Sequence, residues 1–223
     1  MWKQIVEKKT FDRKKNFLFC FVSMSLLSSL DTIMASVEPS QPQKPIGFVN
    51  KQLTVSEARE SLWDIITETK VRLVILIGMG DWKRDEIMES MKVAYSQKIV
   101  VTSADQFMMQ DNRFVFDRTK LTKCHMKCQG EARNALMSSK ESVIFIANKN
   151  TQEHHIQMFA QWGYPFLAVM FVPSSKPNAI ALGIGNDKHI PISVFDTCYD
   201  DMMTLELTQK VFPKLRGVCK VLV

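Results

Sequence analysis

Eight residues, Gly78-Met-Gly-Asp-Trp-Lys-Arg-Asp85, follow directly on the apolar run Val71-Arg-Leu-Val-Ile-Leu-Ile77. A glycine-containing turn between a strand and a helix can surround a phosphate with backbone N–H groups, and the helix N-terminus adds favourable partial charge. The full signature is G-x-x-x-x-G-K-[ST], in which the lysine neutralises the phosphates and the hydroxyl holds magnesium. Aligned without a gap, Gly78 keeps the first position, while Lys83 stands at the second glycine, Arg84 at the lysine and Asp85 at the hydroxyl. Shortening by one moves Lys83 onto the lysine position but leaves Trp82 and Arg84 beside it. Neither alignment restores the set. Side chains on Asp81 and Trp82 occupy space that a close wrap needs, and Asp81, Asp85 and Glu86 place carboxylates where a triphosphate would sit. Two like charges about 4 Å apart at a partly solvated site cost roughly 4 kcal/mol, which offsets the whole affinity of a millimolar ligand. The sequence therefore predicts a degenerate phosphate loop, built from Gly78, Gly80, Lys83 and Arg84, that binds no nucleotide.

Further residues carry weaker signals. Asp105, in Ser103-Ala-Asp-Gln-Phe107, follows a short apolar run, a place where an acid can simply cap the next turn. Asn148 and Asn150 end the run Val143–Ala147, and Arg113 stands between them and Asp105 in the sequence. Cys124-His-Met-Lys-Cys128 has no second ligand pair at zinc spacing, so it reads as helix packing and no metal is predicted. His154 and His155 fall in a first helical turn and are expected to face solvent. Phe107, Met108, Met109, Phe114 and Phe116 read as apolar lining beneath a lid-like segment or as a recognition surface.

The elements around these residues alternate. Thr54-Val-Ser-Glu57 has the form of a capping box before a helix with Ala58, Leu62, Ile65 and Ile66. Strands are predicted at 71–77, 98–103, 143–147 and 166–172, with helices over 81–91, 119–139 and 151–161 between or after them. Such alternation implies βαβ units and a parallel sheet with helices on both faces. Beyond Pro173, Ala179–Gly183 and Ile190–Phe195 are expected to pair as a hairpin, followed by a helix to about Val211 and a last strand at 217–223.

In this order the motifs resemble the P-loop kinases of the 5′-hydroxyl polynucleotide kinase type, including the related domains of ubiquitin-ligase-binding proteins. The resemblance runs from about Leu73 to Val172. It rests on the strand into Gly78, on Ser103–Phe107, on Phe114-Val-Phe-Asp117 before a helix with His125, on Val143–Asn150, and on the strand ending at Val172-Pro173. It implies a P-loop-kinase-like three-layer α/β sandwich in which Asp105 matches the aspartate that takes the proton from the attacking hydroxyl. Its neighbour in the family's acidic pair is Gln106 here, and the acid that ends the third strand is Ala147, while Asn148 and Asn150 remain; the resemblance implies these two, with Arg113, as substrate contacts. No arginine cluster follows Pro173, where Lys176 and Lys188 are the cations before Lys210.

Composition limits the remaining choices. The chain has 223 residues, 46% hydrophobic and 23% charged, which excludes disordered and polytopic membrane classes. The net charge of +6 divides evenly between residues 1–33 and the rest, so the body has no large phosphate-attracting excess. Lys83, Arg84, Arg113, Arg118 and Lys149 would have to form a local patch for RNA to bind. Five scattered cysteines form no disulfide framework and favour a reducing compartment, cytoplasmic or nuclear. Phe17–Leu30, apolar behind a basic stretch, is too short to span a bilayer, so residues 1–33 read as an upstream extension or weak anchor. As a working signal peptide they would make the chain a secreted or membrane-tethered interaction protein. Pro39, Pro42 and Pro45 mark residues 34–52 as a linker before a domain at 53–223. The expectation is a catalytically degenerate module that needs no cofactor and binds protein, slightly favoured, or RNA. The alternative is an active polynucleotide or nucleoside kinase with an atypical loop, using ATP and magnesium.

Overall fold

The longest apolar runs become the centre of a sheet. The computed structural model describes residues 47–223. Leu73–Ile77 (β2) and Val143–Ile146 (β6) are buried at every position, and Phe166–Val172 (β7) at all but its last. Burial of consecutive residues means cover on both faces, as a parallel sheet requires. Val49–Thr54 (β1), Ile99–Thr102 (β3) and Leu215–Leu222 (β8) complete a six-stranded sheet in the order β1-β8-β7-β2-β6-β3, parallel throughout. Six helices accompany it: α1 (Val55–Thr69), α2 (Asp85–Tyr95), α3 (Leu121–Ser138), α4 (Glu153–Ala160), α5 (Lys176–Gly183) and α6 (Ile192–Met203). Thr54 and Glu57 make the expected capping box at the start of α1.

From β2 the chain runs to the edge strand β3, returns through β6 beside β2, and then crosses to β7 on the other side. The loops that follow β2 and β6 flank this crossing, where open α/β sheets hold their ligands. A small antiparallel hairpin, Met109–Gln110 (β4) with Arg113–Phe114 (β5), stands apart from the sheet. Its turn residues Asp111 and Asn112 both have positive φ, 47° and 60°, as a tight hairpin turn needs.

The structure corrects the reading of 179–195. Instead of a hairpin, Ser175 caps α5 through a bond from Asn178 N at 3.3 Å, and Pro177 sits in the first helical turn, where its missing N–H costs nothing. The following helix starts at Ile192 and ends at Met203. Residues 49–52, read as linker, form most of β1, so the sheet begins before residue 53. The expectations for residues 1–33, and for the linker as far as residue 46, lie outside the described residues. Among the described residues no helix is long and apolar enough to cross a membrane.

Candidate functional site

Gly78, directly after β2, has φ +120°, and a Cβ there would stand 3.1 Å from Phe171 O and 3.2 Å from Trp82 Cε3, so this turn needs glycine. Its N–H donates to Lys149 O at 2.8 Å, which joins the loops after β2 and β6. Trp82 then turns inward. It is fully buried, and its Nε1 donates to Ala179 O on α5 at 3.0 Å. Lys83 has φ 65° and pairs on the surface with Glu86 at 2.9 Å.

The centre of the loop is filled by Arg84, only 4% exposed. Its Nη1 donates to Gly78 O at 3.0 Å and to Asn148 O at 3.1 Å, and its Nε to Asp85 Oδ1 at 2.8 Å. Gly80 leaves room for the Asp85 carboxylate, which a Cβ would strike. Burial pushes the Asp85 carboxyl up, but the adjoining guanidinium outweighs it and holds the group below the usual carboxylate range, though half its side-chain surface is open to solvent. Burial raises Asp81. The one buried cation of the loop is therefore committed to the chain's own oxygens, and carboxylates stand beside it.

On the β6 side, Asn148 Oδ1 accepts from Ala104 N at 2.8 Å and its Nδ2 contacts Cys128 Sγ at 3.6 Å; Asn150 Nδ2 donates to Leu76 O at 2.7 Å. Both asparagines are buried and bind strand ends together. Asp105 opens a short 3-10 turn after β3, but Ala104 is its cap residue, and the Asp105 carboxylate instead meets Lys188. The Lys188 ammonium also lies 5.5 Å from the centre of the Phe114 ring. Arg113, next to Phe114 on β5, points to the opposite face of the hairpin and is exposed. Lys149 is exposed at the same edge of the sheet.

Burial depresses both nearby imidazoles: His125 on α3 falls below its ordinary value, and His155 falls to about 4 with help from His154 and Lys149. His155 is thus half-buried, with Nδ1 unpartnered among the described residues, whereas His154 faces solvent. Sequence reading did not assign Lys188 a role. The segment that carries it is closed by Asn186, whose Nδ2 donates to Gly183 O at 2.9 Å and Ile190 O at 3.0 Å, while Ile190 N donates back to Oδ1 at 2.6 Å. Lys188 lies 83 residues beyond Asp105, and no local motif links the two.

No family model matches the chain, and no curated protein matches it. Among solved structures, a chain in "Structure of the Pnkp1/Rnl/Hen1 RNA repair complex" is similar with a TM-score of 0.47 and 16% identity, over 59% of this chain and 43% of that one. This chain thus spans less than half the length of that protein.

Proposed function

We propose that residues 53–223, with β1 at their edge, form a catalytically degenerate polynucleotide-kinase-like module that acts by binding a partner and does not turn over ATP. The observation that carries this reading is the Arg84 guanidinium, buried on Gly78 O, Asn148 O and Asp85. A phosphate wrapped by this loop would have to break those bonds and sit beside Asp85 and Asp81. Asp105 is the vestigial base, held by Lys188 in place of a substrate hydroxyl. Asn148 and Asn150 stabilise the strand ends. A protein partner is favoured over RNA because Asp81, Asp85, Glu86, Asp105 and Asp111 lie among the cations of this edge and oppose phosphates. The free cysteines Cys124, Cys128, Cys198 and Cys219, all buried, suit a reducing cytoplasm or nucleus.

Calorimetry of the full chain with ATP and magnesium tests the reading: no saturable heat is expected, and a micromolar dissociation constant would replace it with an active kinase. Partner class is read from salt dependence. Three or four phosphate contacts to a single strand give a log-log slope of about −2 to −3, whereas an apolar protein contact gives nearly none.

A further inference from the structure

β8 lies between β1 and β7, so both of its faces should be covered. One is: Cys219 and Val221 are fully buried. On the other, Lys220 is exposed and Leu222 is 40% exposed, although each has strand neighbours on both sides. The end of α6 and the segment after it reach only partly across this face. They leave a cleft of about 220 Å³ whose floor is Met170 and Val218 and whose far wall is Met202, Met203 and Leu205. Among the described residues, Asn50 and Lys220 are its polar lining residues, no acid lines it, and Lys220 has no ion-pair partner.

We propose that this cleft binds a free, unbranched medium-chain carboxylate, with its tail along the methionines and Val218 and its head on Lys220 Nζ and the Asn50 amide. Charge sets the sign of the head, since among the described residues one cation, Lys220, lines the cleft and has no counter-ion. Size fixes the tail, since the volume is below the roughly 300–1,000 Å³ of sites for drug-sized ligands. Methionine, unbranched and polarizable, lines a site for a flexible chain well.

The test is octanoate titration of the full chain carrying ¹³C-methyl methionine. Saturable shifts are expected at Met170, Met202 and Met203 and not across all 14 methionines. Octanoate should bind about fifteenfold tighter than hexanoate, which corresponds to ~0.8 kcal/mol for each of two added methylenes. Lys220→Gln should lower octanoate affinity to that of 1-octanol. Met203→Glu, at an exposed position, should weaken octanoate while leaving the melting curve unchanged. Diffuse or unsaturable shifts, a carboxylate preference that survives Lys220→Gln, binding to anionic vesicles in place of free octanoate, or a cleft closed by dimerisation would each overturn the proposal.

Discussion

The Lys188 ammonium rests on the carboxylate of Asp105, 83 residues earlier in the chain, and on the Phe114 ring face. One side chain thereby ties the α5–α6 connection to the turn after β3 and to the β4–β5 hairpin. Both partners of the ion pair are partly exposed, 29% and 41%, so solvent screens it.

Such pairs contribute about 0.2–1 kcal/mol, and the effect of losing this one should be local. Lys188→Gln is expected to speed amide exchange of residues 184–191 severalfold while global melting hardly moves. A double-mutant cycle with Asp105→Asn should return a coupling of about 0.2–1 kcal/mol that shrinks at high salt. Exchange identical to that of the parent chain would mean that the contact does not hold the connection.

Arg84 should behave differently because it is buried. Arg84→Met leaves Gly78 O and Asn148 O without this donor, at about 1–3 kcal/mol for each buried carbonyl left unsatisfied, while Asp85, half open to solvent, adds little, so about 3–5 kcal/mol is expected in all. At roughly 2–4 °C per kcal/mol for a domain of this size, the melting point should fall by about 6–20 °C. Arg84→Lys should recover less than half, since an ammonium cannot reproduce the fork of contacts. A fall of only a degree or two would show that the guanidinium does not hold the loop.

Most of this frame was legible because it rests on local periodicity. The continuous apolar runs at Leu73, Val143 and Phe166 are short and rich in β-branched and aromatic residues, which favours buried strands, and Thr54 with Glu57 announces α1. What escaped depended on distant partners. Ala179–Gly183 is apolar enough for a strand, yet it folds as the end of α5, with Gly183 against the Phe195 ring of α6. The sequence already shows that the loop lacks the second glycine and the hydroxyl of a phosphate-binding signature. That Arg84 fills it, and that the two asparagines join strand ends, depends on oxygens from Gly78, Asn148, Leu76 and Ile146 which only the folded backbone brings together.

His155 gives the chain a predictable acid sensitivity. Burial holds its folded value at about 4, below the ordinary 6.5, so it stays neutral in the fold while the unfolded chain takes up a proton. Its contribution is complete above about pH 6.5 and is lost as pH falls towards 4. His154, Lys149 and His125 reinforce the loss, and Asp201 opposes it. Half-burial discounts the effect to about 1–2 kcal/mol. His155→Gln should flatten the melting-point profile between pH 4 and 6.5; an unchanged profile would assign the acid sensitivity to other groups.

The first strand depends on one glycine. Gly217 of β8 lies opposite Val49 of β1, and a Cβ on it would stand 2.6 Å from Val49 O and 2.8 Å from Val49 Cβ. The nearest obstacle is backbone, which cannot turn aside as a side chain can, so Gly217→Ala must move β1. Overpacking of this kind costs about 1–3 kcal/mol. Amide protection over Val49–Thr54 should collapse while that of β2, buried in the middle of the sheet, persists. α1 should stay docked, since it also packs on α2 and β8 and its Leu62 and Ile66 are fully buried. Phe48 and Asn50 belong to the octanoate cleft, so the same substitution should also weaken octanoate. Loss of strand protection with full octanoate affinity would separate the cleft from β1 and confine it to β7, β8 and the end of α6.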